Sequence, residues 1–288
     1  MPATAAFAIA WIVARAAVQS VTIDEADTFL TWVNHSSPTH WMMAANNHVL
    51  NSMLMRVTVA IFGVSQFTIR LPALLGAVIY LTAAYGLSRI MARTLALRWA
   101  VFVCLVYNPF MMDYLVAARG YGLACGFLLS AIALAAWWHG ANAGGQQPAH
   151  LTTICALCSI SAALSVSANF AFAFVNAATM LLIFLWAWSA DWGPAWRQRL
   201  GRGGVLLAAC VLPGLLVGVV FAGPVLKHLG KFDFVYGAES LREMLRSILD
   251  STTYELNRHF VNTVIYGKIQ WLRRAMWPAL GAAVLIRL

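Results

Sequence analysis

Three of the chain's ten acidic residues, Asp24, Glu25 and Asp27, fall within four positions directly after the first apolar run. A carboxylate at the mouth of an apolar helix sits where charge is costly, which makes it a candidate for function. Partly withdrawn from water, it becomes a general base able to take a proton from an acceptor hydroxyl. Asp24 and Glu25 are adjacent, so on a helical or extended backbone they point in different directions and only one need face a cavity. A second reading stands beside the first. Asp24 or Asp27 at the start of a short helix would satisfy free backbone N–H groups as a cap.

The opposite charge comes later. Arg119 precedes Gly120-Tyr121-Gly122, where two glycines allow close backbone approach at the start of an apolar run. A guanidinium beside free helix N–H groups is a phosphate-binding arrangement; alternatively Arg119 pairs with Asp113 or with a lipid headgroup. His48 sits in Asn46-Asn47-His48-Val49-Leu50-Asn51. It is either a ligand for a metal, a phosphate or a sugar hydroxyl, or a solvated polar residue. Asn47/Asn51 and His48/Ser52/Arg56 recur at helical spacing as one polar stripe of an amphipathic helix. Arg56 and Arg70 read as snorkelling anchors, and Arg15 as a residue that snorkels or faces the bundle interior. No HExxH zinc pattern occurs, and the Cys155/Cys158 pair falls inside an apolar run, as small core residues do. A divalent metal stays open as a cofactor.

The elements that must position these groups are membrane helices. The chain is 61% hydrophobic and 10% charged, with a mean hydropathy of +0.75. Soluble domains carry roughly 25% charged residues, and apolar runs of membrane-crossing length recur along the chain. The net charge of +9 is not gathered on one basic face, which excludes a nucleic-acid partner. The expected fold is an all-α polytopic bundle of about eight transmembrane helices in one module, residues 1–288. The spans run from about Ala3 to Val21, Phe67 to Ile90, Trp99 to Tyr114, Arg119 to Trp138, Leu151 to Val166, Ala171 to Ser189 and Val205 to Phe221, with an eighth from Ala275. Residues 22–66 form a first outer loop with interfacial helices over Ala26–Val33 and Asn47–Phe62. Residues 223–274 form a long outer segment whose Leu241 to Asp250 stretch reads as a helix lying flat at the interface. With the amino terminus inside, the short inner loops hold six arginines (89, 93, 98, 197, 199, 202) against Arg56, Arg70 and Arg119 outside. That places Asp24, Glu25, Asp27, His48, Arg70, Asp113 and Arg119 together on the outer face. The chain stops inside its eighth apolar run, so a truncated carboxy terminus is expected.

The order of these pieces resembles a known family. Asp24-Glu25-Ala26, Asn47-His48-Val49-Leu50-Asn51, Phe62-Gly63, Phe67-Thr68-Ile69-Arg70-Leu71-Pro72 and Asn108-Pro109-Phe110 leading to Ala117-Ala118-Arg119-Gly120-Tyr121 follow one another. This is similar to the GT-C membrane glycosyltransferases related to protein O-mannosyltransferases and aminoarabinose lipid A transferases. Val49 and Leu50 stand where that family often has prolines, and Ala117 where it has glutamate. The resemblance covers about Val21 to Leu129. It implies a GT-C helix bundle, a polyprenyl-phosphate sugar donor, a lipid, glycan or protein acceptor, and transfer with inversion. The setting it implies is a bacterial inner membrane with the site facing the periplasm. Asp24 would be the base with Glu25 beside it, and Arg119 would hold the donor phosphate. His48 and Tyr121 would line the cavity, and Asn47, Asn51, Arg70 and Asp113 complete the expected substrate-binding set. Two other classes remain in view. A transporter or flippase would need broken helices, for which Pro213-Gly214 is the one candidate, and a non-catalytic lipid-binding protein would tolerate neutralising Asp24.

Overall fold

The computed structural model describes residues 1–34, 47–141, 150–190 and 196–226, with Ser240, Arg242, Glu243 and Leu245 beyond them. The chain divides into two units, Met1–Phe232 and Asp233–Leu288. The second holds only the last four described residues; the eighth span and most of the flat outer helix lie outside what is described. Every regular element among the described residues is helical. Among the described residues five helices are long and apolar enough to cross a membrane: Thr68–Met91, Tyr121–Gly140, Leu151–Ala168, Phe170–Ser189 and Leu200–Phe221. A sixth follows if Pro2–Val18 and Ile23–Val33, bent by 73°, count as one span. This is a helical membrane protein.

Its centre is a parallel pair, α4 (Leu71–Met91) and α7 (Tyr121–Ala141). Between apolar helices in lipid there is little hydrophobic drive, so close backbone packing must hold them. Small residues permit it here. A Cβ on Gly76 would stand 2.3 Å from the Gly122 carbonyl carbon, and one on Gly126 would stand 2.7 Å from the Gly76 oxygen. The register continues to Gly140 beside Ile90, so both helices begin at the same end of the bundle.

The chain must return between them, and here the expected third span divides. It forms α5 (Leu95–Val106) and a short α6 (Pro109–Tyr114). Twelve residues of α5 reach about 18 Å, short of a hydrocarbon core of about 30 Å. Pro109 forces the break. The residue before a proline is driven out of helical geometry, and Asn108 is extended, its side chain accepting the Phe110 N–H at 2.9 Å.

The flanking helices end where α4 and α7 begin. The amino-terminal α1 (Pro2–Val18) leads into α2 (Ile23–Thr28) and a π-helical turn, Phe29–Val33. Thr22 and Glu25 cap α2 reciprocally. Helix α3 (Val49–Phe62) ends at Gly63, whose φ of 79° suits glycine. Its first turns are buried on both faces, Val49 and Leu50 as well as Asn51, Ser52 and Met55, while Val57, Ile61 and Phe62 nearer its end face outward. The polar stripe of those first turns therefore lies inside the protein. Helices α8 (Leu151–Ala168) and α9 (Ala173–Ala190) turn at Asn169, whose side chain accepts the Ala171 N–H. Helix α10 (Trp196–Leu226) runs unbroken through Pro213-Gly214, with the Gly214 N–H donated to Ser159 Oγ at 2.9 Å. It also extends into the expected outer segment as far as Leu226. Cys155, Cys158 and Cys210 lie in the apolar core between these helices.

Candidate functional site

Asp24 and Glu25 have opposite fates, and Thr22 decides which is which. The Thr-x-x-Glu pattern caps α2, so the Glu25 carboxylate turns back toward Thr22 and inward. There it accepts five hydrogen bonds, from the Thr22 N–H and hydroxyl, Arg70 Nε and Nη2, and the Ala118 N–H. A carboxylate has about four lone-pair sites, so none remains for an acceptor hydroxyl. Arg70 is equally committed. Its remaining N–H groups go to the carbonyls of Ala16, Gln19 and Ser20 at the end of α1. The pair is 2.7 Å apart with both side chains essentially inaccessible.

This corrects two expectations. Arg70 is no snorkelling anchor and offers no group to a ligand; it locks α1, α2 and α4 together. Glu25 is the acidic cap residue, in place of Asp24 or Asp27, because the threonine three positions earlier sets the helix start. Asp27 is turned aside, accepting from the Thr31 hydroxyl at 3.1 Å.

Beside the lock, with Thr22 and Glu25 in its lining, lies a cavity of about 380 Å³, within the range of small-ligand sites, about 300–1,000 Å³. Asp24 lines it and meets Arg119 Nη1 at 2.6 Å. Asp113 also lines it, paired at 2.6 Å with Arg15, whose other Nη reaches Gln19. Arg119 is thus paired across the cavity with Asp24 rather than with Asp113. These pairs are open where the lock is closed: the Asp24 side chain is 65% exposed and that of Arg119 27%.

One wall of the cavity is aromatic. Tyr114 and Tyr121 stack at 4.1 Å with planes 7° apart, and Phe110 packs on Tyr114 at 4.2 Å. Burial, with Tyr121 adding to it, pushes the Tyr114 hydroxyl up to about 12. Tyr114 remains a neutral hydrogen-bonding group.

The His48 ring lies 5.9 Å from Tyr121. His48 is 6% exposed and Asn47 and Asn51 are fully enclosed, so His48 is not a solvated residue. Burial first, then the Arg119 charge, lowers its pKa to about 4, which makes the imidazole neutral at ordinary pH. Asn51 Nδ2 donates to the Ala118 carbonyl, and the Ser52 hydroxyl to Asn47 Oδ1. Both His48 nitrogens, Asn47 Nδ2, Asn51 Oδ1 and Arg119 Nε are buried with no hydrogen-bond partner. Each such group costs about 1–3 kcal/mol, and a cluster of them mixing donors and acceptors is what a hydroxylated ligand or ordered water would satisfy.

Gly120 brings this enclave and the cavity together. Its φ is 74°, and a Cβ there would stand 2.1 Å from the Ala168 carbonyl, so only glycine lets the start of α7 dock on the end of α8. The Asn169 side chain reaches the Arg119 carbonyl at 3.5 Å on the same seam.

Of the expected residues, Asp24, Glu25, Asp113, Arg119 and Tyr121 line the cavity, Glu25 with its oxygens already taken. Asn47, His48 and Asn51 form the enclave next to Tyr121 and Ala118, and Glu25 and Arg70 form the lock. Arg15 and Tyr114 are cavity residues that the spacing did not single out. The one signal for Arg15 is Gln19 at i+4, a polar partner on the same face of an otherwise apolar helix. Among the described residues no three His, Cys, Asp or Glu side chains are grouped to hold a metal ion. No family model matches the chain, and no curated protein and no solved structure matches it either.

Proposed function

We propose that the protein is an inverting glycosyltransferase of the GT-C kind, moving a sugar from a polyprenyl-phosphate donor to a lipid, glycan or protein hydroxyl. The observation that carries this is the meeting of a solvent-accessible carboxylate, Asp24, with the Arg119 guanidinium in one cavity at a common end of the membrane helices. Displacing a phosphate from an anomeric carbon needs those two groups. Asp24 takes the proton as the acceptor oxygen bonds to the anomeric carbon on the face opposite the phosphate. The carbon–oxygen bond to phosphate breaks, the configuration inverts, and Arg119 carries the negative charge that leaves. The stacked Tyr114 and Tyr121 form an apolar wall for the sugar ring. Asn47, Asn51 and neutral His48 offer donors and acceptors to its hydroxyls. Glu25 and Arg70 hold the scaffold and stay out of the chemistry.

Arg89 in the last turn of α4, Arg93 just after it and Arg197, Arg199 and Arg202 in the first turns of α10 belong to the other end of the helices, which supports a bacterial inner membrane with this cavity facing the periplasm. The test is Asp24→Asn in membranes supplied with labelled polyprenyl-phosphate sugars. Transfer should fall at least about a hundredfold, the size of a lost general base, with the protein still folded. Undiminished transfer excludes the base role. Movement of the labelled lipid across the bilayer with no glycosylated product would favour a flippase.

A further inference from the structure

The base and the phosphate-binding group of this mechanism are clasped to each other, Arg119 Nη1 on Asp24 at 2.6 Å. We propose that Arg15 and Arg119 form a two-guanidinium clamp for a phosphate ester, able to hold both the monoanionic diester of a sugar donor and the monoester it leaves, and held shut by Asp113 and Asp24. The incoming phosphate takes the place of those carboxylates, and Asp24 is released as a base only when the clamp is filled. The release of Asp24 rests on the transferase reading; the clamp does not.

The geometry favours exchange. Each arginine meets its carboxylate through a single Nη1 contact, whereas Arg70 grips Glu25 with both Nε and Nη2. Arg119 Nε is buried and lacks any acceptor. A tetrahedral phosphate can accept from Nε and an Nη together, among the strongest hydrogen-bonding arrangements a protein makes. The displaced groups have room to turn outward, since the Asp24 and Asp113 side chains are 65% and 43% exposed. Ion pairs this open are weak. The two arginines are better anchored, at 25% and 27% exposure, Arg15 by its bond to Gln19. Two guanidiniums facing two carboxylates make a neutral cavity that accepts a phosphate anion once the carboxylates yield. Arg15 belongs to α1 and Arg119 to the entrance of α7, so a bound phosphate also ties these helices together.

The competing account is that Arg15–Asp113 merely fastens α1 to α6. The two accounts differ in sign. We would measure binding of inorganic phosphate and of farnesyl phosphate to the full chain in nanodiscs, with thermal unfolding of every variant alongside. Arg15→Gln should weaken binding about tenfold, the loss of one charge-assisted contact, and Arg15→Lys should restore most of it. Asp113→Asn should tighten binding several-fold, because it removes the internal competitor. Farnesyl phosphate binding more tightly than inorganic phosphate supports a lipid-borne monoester; the reverse order supports the clamp with a soluble phosphate. Absence of phosphate binding by the folded wild type, unchanged binding by Arg15→Gln, or weakened binding by Asp113→Asn overturns the clamp. Should Arg15→Gln fail to fold, the Asp113→Asn arm decides alone. Asp24→Asn separates the two proposals: full transfer activity with tighter phosphate binding would end the base role of Asp24 and leave the clamp standing, and no transfer by the folded wild type would end the transferase reading with the clamp untouched.

Discussion

Glu25 and Asp24 are neighbours in the chain, each paired with an arginine at under 3 Å, yet they do opposite work. Glu25 is enclosed, saturated with donors and bound through two nitrogens of a buried guanidinium. Asp24 is open, bound through one nitrogen, and faces a cavity. Charge and sequence position do not separate them. Burial and the number of satisfied lone pairs do. A buried pair is hard to break because removing one partner strands the other charge in a medium that cannot solvate it. An open pair is easily traded for another ion.

The sharpest way to break this comparison is to remove half of the lock. Arg70→Ala or Glu25→Ala should each cost about 3–5 kcal/mol of stability, read as a large fall in the thermal unfolding midpoint in detergent. A loss below about 1 kcal/mol would mean that the pair is not the structural element described here.

The next effect concerns His48. Its folded pKa lies near 4, below the unfolded value near 6.5. Above about pH 6.5 the imidazole is neutral in both states and full stability is present. As the pH falls toward 4 the unfolded chain binds the proton first, so stability declines by about 3 kcal/mol across that window. His48→Gln should flatten this part of the stability–pH curve. An unchanged slope would place the acid sensitivity elsewhere.

The smallest effect is the mirror of the first. Asp24→Asn should change stability by less than about 1 kcal/mol, in the same unfolding assay that registers the lock. A loss as large as that of Glu25→Ala would erase the distinction between the two carboxylates.

Much of this could be read from the residues, and what could not has physical causes. Spans such as Leu151–Ala168 follow from hydropathy, and Gly63 and Asn169 end their helices where glycine and asparagine would be expected to. That Asp24 and Arg119 belong to one end follows from counting spans between them. Which acidic residue caps α2 was also legible, since Thr22-Ile23-Asp24-Glu25 is a capping box. Attention to Asp24 and Asp27 as caps hides it. Arg70 and Arg15 were not legible, because their partners, Glu25 and Asp113, lie 45 and 98 residues away. Helix α3 misleads for another reason. An amphipathic stripe states only that two faces differ, and the first turns of α3 are buried on both, polar stripe included, with apolar residues facing outward only nearer its end. The third span shows local chemistry overriding hydropathy: the run is apolar, but Asn108-Pro109 cuts it in two.

An experimental structure with farnesyl phosphate bound tests the central claim most directly. The account predicts phosphate on the Arg119 guanidinium and the Asp24 carboxylate swung out of its 2.6 Å contact, with Glu25 and Arg70 unmoved. Phosphate seated away from this cavity, or Asp24 still clasped to Arg119 with the ligand in place, would contradict it.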